Sequence, residues 1–112
     1  MPIYRFRKKI SLNASINNIS SETLGDIVEK AEELAHRKLM EEVAGRLIGF
    51  IIDSDLYWNK LRENHFEVVI DLYLDLDISP LSPKVVDSDR IAKEVADEFF
   101  RVIEREIRRI FE

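Results

Sequence analysis

The sequence predicts an α+β protein with the element order β-α-β-β-α, in which a three-stranded antiparallel sheet carries two helices packed on one face. Apolar residues recur at every second position in some segments, as in half-buried strands, and at helical spacing in others. Size is the third observation, because 112 residues, of which 46% are hydrophobic, suffice for one domain with one core. We therefore treat residues 1–112 as a single α+β domain.

The first strand and the first helix are predicted from residues 4–39. In the strand the apolar side chains stand at even positions: Tyr4, Phe6, Ile10, Leu12, Ala14 and Ile16. Lys8 is the one even-numbered exception. Residues 17–21 are predicted as a turn, in which Ser20 or Ser21 caps the helix. The helix then carries an apolar stripe, made of Leu24, Ile27, Val28, Ala31, Leu34, Ala35 and Leu39.

Residues 40–52 fit either a continued helix or a strand. Gly45 and Gly49 weaken a helix interior, and β-branched and aromatic residues cluster in this part of the chain. We therefore predict a second strand that begins at about Arg46. The polar residues 59–64 are predicted to form a hairpin loop.

The clearest strand covers residues 66–78, where every even position is apolar and the odd positions are mostly polar. We expect Leu72 and Leu74 to be buried, whereas Asp71 and Tyr73 face outward. Two prolines follow in residues 79–83 and end this strand, because proline lacks the N–H that a sheet requires.

The last helix, which Asp87 or Ser88 is predicted to cap, is more apolar than one sheet contact requires. Its apolar residues span about 200° around the axis, whereas a stripe of about 100° covers one sheet. Either the first helix and the long loop cover the surplus, or the surplus contacts another chain. We predict a partner interface, since exposed aromatic patches of this size are unusual on monomers. Its residues are Phe100, Ile107 and Phe111.

Composition excludes several classes of protein. There is no cysteine, which excludes disulfide scaffolds and thiol catalysis, and no apolar stretch long enough to span a membrane. We expect a cytoplasmic protein. Dense charge, abundant isoleucine and the absence of glutamine are typical of thermophiles, so we expect a heat-loving archaeal source. The net charge of −5 argues against a protein that coats nucleic acid without specificity.

Clustered carboxylates are the main candidate for a metal site. Those on the predicted outer sheet face are Asp71, Asp75 and Asp77, and Asp53 and Asp55 are candidates from the preceding strand. The alternative is a solvated face that pairs with Arg5, Arg7 and Lys9 if the first and third strands are neighbours. We favour this alternative and predict no metal and no cofactor. No nucleophile elbow and no phosphate loop is present, so we do not expect an enzyme.

The basic first strand is a candidate for contact with RNA backbone. The residues concerned are Arg5, Arg7, Lys8 and Lys9. Tyr4 and Phe6 are interleaved with them, but their even parity predicts that these rings face the core rather than a base.

Two segments carry a resemblance, namely Glu67–Ile78 (EVVIDLYLDLDI) and Val86–Arg108 (VDSDRIAKEVADEFFRVIEREIR). They are similar to a small archaeal family of unassigned activity, and the whole arrangement resembles the small dimerisation subunit of the KEOPS complex. That complex makes threonylcarbamoyladenosine on tRNA. The Leu-Arg-Gly and Asn-Ser pattern of the subunit's last helix is replaced here by residues 91–96 (IAKEVA). The resemblance therefore implies a paralogue that pairs with the subunit.

From these observations we expect a non-catalytic assembly protein, either a homodimer or a heterodimer with a KEOPS-type subunit, with at most an indirect association with tRNA. The alternative is a small RNA-binding module that uses the basic first strand. A third and weaker alternative is a metal-dependent enzyme that uses the aspartates.

Overall fold

The computed structural model describes residues 3–13, 20–43, 48–78 and 87–111. Its elements follow the predicted order: β1 (Ile3–Leu12), α1 (Ser21–Val43), β2 (Ile48–Arg62), β3 (His65–Ile78) and α2 (Ser88–Phe111). The three strands form one sheet in the order β1-β3-β2, and β3 is antiparallel to both of its neighbours. The predicted α+β fold is confirmed.

The alternation along β3 separates the two faces of the sheet. Leu72 and Leu74 have no exposed surface and belong to the hydrophobic core, whereas the side chains of Asp71 and Tyr73 lie on the opposite face. The helices cover only the face that carries the even-numbered residues. The predicted parity of this strand is therefore confirmed.

Both helices begin at a capping side chain. The hydroxyl oxygen of Ser20 accepts a hydrogen bond from the N–H of Thr23 at 3.0 Å. The Asp87 carboxylate accepts one from the N–H of Arg90 at 3.1 Å. Each satisfies one of the N–H groups that have no partner inside the helix. The two caps are among those that the sequence predicts.

The segment 40–52 divides between a helix and a strand. α1 continues to Val43 and β2 begins at Ile48. The predicted strand is confirmed, while its expected start at Arg46 lies outside the described residues.

The predicted loop over residues 59–64 is wrong. β2 continues to Arg62, and only Glu63 and Asn64 form the turn before β3. Asn64 adopts a φ of 57°, which asparagine tolerates better than most residues. The ladder is irregular between Lys60 and Arg62. Polar side chains occur here because the end of β2 is exposed to solvent on both faces. A strand that is exposed on both faces shows no alternation of apolar and polar residues, so the sequence pattern does not reveal it.

Candidate interaction face

The face of the sheet that the helices leave uncovered, called the outer face below, carries the odd-numbered side chains. On β1 they are Ile3, Arg5, Arg7, Lys9 and Ser11. On β3 they are Glu67, Val69, Asp71, Tyr73, Asp75 and Asp77, and on β2 they include Ile51, Asp53, Asp55, Tyr57 and Asn59. The face therefore collects most of the charged candidates that the sequence predicts.

The register sorts these charges by strand. In successive rows across the sheet, Arg5 pairs with Tyr73 and Tyr73 with Asp53, while Arg7 pairs with Asp71 and Asp71 with Asp55. The next row along joins Lys9, Val69 and Tyr57. The bases consequently lie on one edge strand, and the acids lie on the central strand and on the opposite edge strand.

Arg7 and Asp71 form an ion pair with two hydrogen bonds on the outer face. The guanidinium donates through Nε to Oδ1 at 2.7 Å and through Nη2 to Oδ2 at 3.2 Å. This pairing holds the pKa of the Asp71 carboxyl below its usual range. Although Asp71 faces outward as predicted, it is only 8% exposed and is not a freely solvated carboxylate. The predicted pairing between bases of β1 and acids of β3 is confirmed for these two residues.

Arg5 and the aromatic residues of the outer face form a second contact. The Arg5 guanidinium lies 5.7 Å from the centre of the Tyr73 ring, a cation–π distance. Among the described residues, neither Arg5 nor Lys9 forms an ion pair. Tyr57, which is 40% exposed, lies in the same row as Lys9. Sequence reasoning missed these two tyrosines as neighbours of the bases, although their odd positions were a signal that could have found them.

The basic quartet is divided between the two faces. Lys8 points to the helix side, where its Nζ lies 2.8 Å from Glu104, and this contact lowers the pKa of Glu104. Tyr4 and Phe6 also face the helix side, as expected, and the Tyr4 hydroxyl donates to Asp89 at 2.6 Å. A nucleic acid on the outer face would therefore meet three of the four predicted bases, without Lys8.

The expectation that Phe100, Ile107 and Phe111 form an open partner surface is corrected by the packing. Ile107 has no exposed surface and Phe100 is 9% exposed. Phe111 packs edge to face on Phe66, with ring centres 5.4 Å apart. The wide apolar arc of α2 packs both against the sheet and against α1. An ion pair between Lys30 of α1 and Glu106 of α2, at 3.0 Å, also joins the two helices.

The two most exposed large apolar side chains among the described residues lie on the outer face instead. Ile3 and Ile51 are 64% and 65% exposed, and they flank Asp75 in a single row. The Oδ1 atom of Asp75 is shielded from solvent and has no hydrogen-bond partner among the described residues. This row therefore combines exposed apolar side chains on both edge strands with an acceptor that has no partner among the described residues.

Other features of the described residues carry less chemistry. No group of three or more histidine, aspartate or glutamate side chains within 3–13, 20–43, 48–78 and 87–111 is placed to hold a metal ion. His36 packs edge to face on Phe50 at 5.0 Å. A groove of about 510 Å³ between α1 and β2 is lined by Leu24, Gly25, Val28, Leu56, Tyr57 and Trp58. None of the described helices is long and apolar enough to cross a membrane.

Comparison with known proteins bears on the fold alone. A crystal structure from Thermococcus onnurineus NA1 is similar, with a TM-score of 0.57, 21% sequence identity and coverage of 96% of this chain and 95% of that chain. No protein-family model matches the sequence. No curated protein matches it either.

Proposed function

We propose that this chain is a non-catalytic assembly protein of the cytoplasm, which acts by pairing with another protein chain. The observation that carries the proposal is the outer face. It combines two isoleucines that are about two-thirds exposed, Ile3 and Ile51, with charges that have no ion-pair partner among the described residues. Exposed apolar side chains beside charges that have no ion-pair partner support a protein partner.

The identity of the partner is proposed from the resemblance described above. A paralogue of the KEOPS dimerisation subunit would pair with that subunit or with a second copy of itself. We therefore propose a KEOPS-type subunit as the heterologous partner to test first, and an association with tRNA only through the assembled complex.

A second candidate function is RNA binding by the outer face. The observation in its favour is that Arg5, Arg7 and Lys9 share this face with Tyr57 and Tyr73, since bases and aromatic rings on one sheet can hold single-stranded RNA. Five carboxylates on the same face oppose it, because they repel the phosphate backbone: Asp53, Asp55, Asp75, Asp77 and Glu67. We therefore rank it below assembly.

Co-expression with the small KEOPS subunit of the same cell tests the proposal. We expect the two chains to co-purify and to sediment as one heterodimer, or the isolated chain to sediment as a homodimer. Sedimentation as a monomer under both conditions, with salt-sensitive binding of tRNA by the isolated chain, would instead support RNA binding. A saturable rise in melting temperature on addition of Mg²⁺ or Ca²⁺ would favour a metal-dependent activity.

A further inference from the structure

We propose that the outer face binds the outer face of a second copy of this chain, with a two-fold axis that runs along β3. The inference rests on the proposed assembly function, which it makes specific by naming the partner and the surface. The arrangement of charge across the rows of the sheet determines how two copies can face each other.

When two identical sheets pack face to face with aligned strands, the two-fold axis that relates them can run either across the strands or along them. An axis across the strands sets each strand over its own counterpart, so that Arg5, Arg7 and Lys9 would face the same three bases of the other copy. Like charges in such close contact oppose association. An axis along β3 sets β1 of one copy over β2 of the other, and the bases then face Asp53, Asp55 and Tyr57. The charges on the edge strands therefore favour the axis along β3.

The side chains on these two strands are available for such contacts. Arg5 and Lys9 form no ion pair among the described residues, and neither do Asp53 and Asp55. Lys9 would lie over the ring of Tyr57, which is 40% exposed. Each contact occurs twice in the dimer, because a two-fold axis makes the interface isologous.

The central strand lies over its own counterpart, so each of its four outward-facing carboxylates faces its own copy: Glu67, Asp71, Asp75 and Asp77. Val69 is 1% exposed and neutral, and Asp71 is already paired with Arg7. Asp75 and Asp77 lie toward one end of the strand, and Glu67 lies toward the other. Because packed sheets cross at about 30°, the two copies of each of these carboxylates diverge toward the ends of the strand. The exposed Ile3 and Ile51 lie in the row of Asp75 and supply apolar area.

The size of the face predicts how strong the dimer is. Five rows across three strands make a surface of roughly 14 by 30 Å, or on the order of 900 Å² for two copies. That area is below the range of standard stable interfaces. We therefore expect a weak dimer that dissociates as the concentration falls and as the ionic strength rises.

A charge exchange tests the arrangement by sedimentation equilibrium. Arg5→Glu and Asp53→Lys should each raise the dimer Kd about ten-fold or more, because each opposes two like charges in the interface. The double variant exchanges the charges and should return the Kd to within about three-fold of the wild type. Arg37→Glu is the control, since Arg37 lies on α1 beside Glu33 and away from the outer face. Melting temperatures show whether each variant is folded.

Crosslinking tests the direction of the axis independently, and the chain has no native cysteine to interfere. Lys9→Cys and Tyr57→Cys proteins are prepared separately, mixed and treated with a short bismaleimide, because packed sheets lie about 10 Å apart. The crosslink between the two variants should form in higher yield than the crosslink of either variant with itself. A dominant same-variant product, or a double variant as weak as the single variants, would overturn the proposal.

Two further outcomes separate this inference from the assembly function. In the first outcome the chain stays monomeric alone, and wild type and Arg5→Glu bind a KEOPS-type subunit equally tightly. This outcome would overturn the pairing of two outer faces and leave the assembly function standing. Salt-sensitive RNA binding that Arg5→Glu abolishes and the double variant does not restore would overturn both.

Discussion

Truncation of Ile107 measures whether the apolar surplus of α2 belongs to the core of the chain itself. Ile107 has no exposed surface and lies in the cluster that joins α2 to α1 and to the sheet. Ile107→Ala should therefore cost about 2–5 kcal/mol of unfolding free energy, the range for truncation of large aliphatic core residues. That is a large fraction of the roughly 5–15 kcal/mol that stabilises a typical domain. Ile107→Asp buries an unpaired carboxylate in addition and should unfold the chain.

Urea unfolding followed by far-ultraviolet circular dichroism measures the loss, and sedimentation reports the association state. Ile110→Asp is the matched control on the same helix, because Ile110 is 42% exposed, and its loss of stability should be much smaller than that of Ile107→Asp. If Ile107→Asp stayed folded and converted a dimer into a monomer, the burial argument would be refuted. The residue would then belong to a partner interface.

Three further substitutions test local features of the fold. Arg7→Gln should lower the melting temperature at pH 7. Because Arg7 depresses the pKa of Asp71, the stability that the pair contributes is present above about pH 4 and is lost as the pH falls through the depressed pKa. The melting temperatures of wild type and variant should therefore converge at low pH. Asp87→Ala should cost about 1 kcal/mol by removing the α2 cap, whereas Asp97→Ala, on the exposed side of the same helix, should cost much less in the same urea titration. Gly25→Ala should stabilise α1 by about 0.5–1 kcal/mol in thermal unfolding, since the added methyl group meets no atom within 4 Å among the described residues.

Strand parity could be predicted because it depends on local pattern alone. A strand with one buried face must alternate, and a shift by one residue would turn Leu72 and Leu74 to solvent. The same reasoning placed Asp71 and Tyr73 on the outer face. It could not give the exposed fraction of Asp71, because that depends on Arg7, which the chain brings into contact from a strand far away in sequence.

The function of the apolar arc on α2 could not be deduced from its width. Periodicity measures how much of a helix is apolar, but it does not say how many neighbours share that surface. In this fold α2 packs against the sheet and against α1, so that Phe100 and Ile107 are covered within one chain. The position of α1 beside α2 is set by tertiary packing, and this is why sequence reasoning assigned the surplus to a partner.

The candidate site was predicted as a set of residues but not as an arrangement. Odd parity identified the bases of β1 and the aspartates of β3 as outward-facing. The sorting of charge into rows follows from the order β1-β3-β2 and from a register that joins Arg7 to Asp71 and Asp71 to Asp55. Register between distant strands leaves no signal in a single segment of sequence, so this arrangement becomes visible only in the folded chain.

The central position of β3 also determines the order in which the sheet can form. β2 and β3 are joined by the turn at Glu63 and Asn64, so their pairing closes a very short loop. β1 must instead find β3 across most of the chain, since Ile3 pairs with Asp75, and the entropy of loop closure grows with that separation. We therefore expect the hairpin to be structured in the folding transition state and β1 to dock after it. Substitutions in β1 should then mainly accelerate unfolding, whereas substitutions in the hairpin should slow folding.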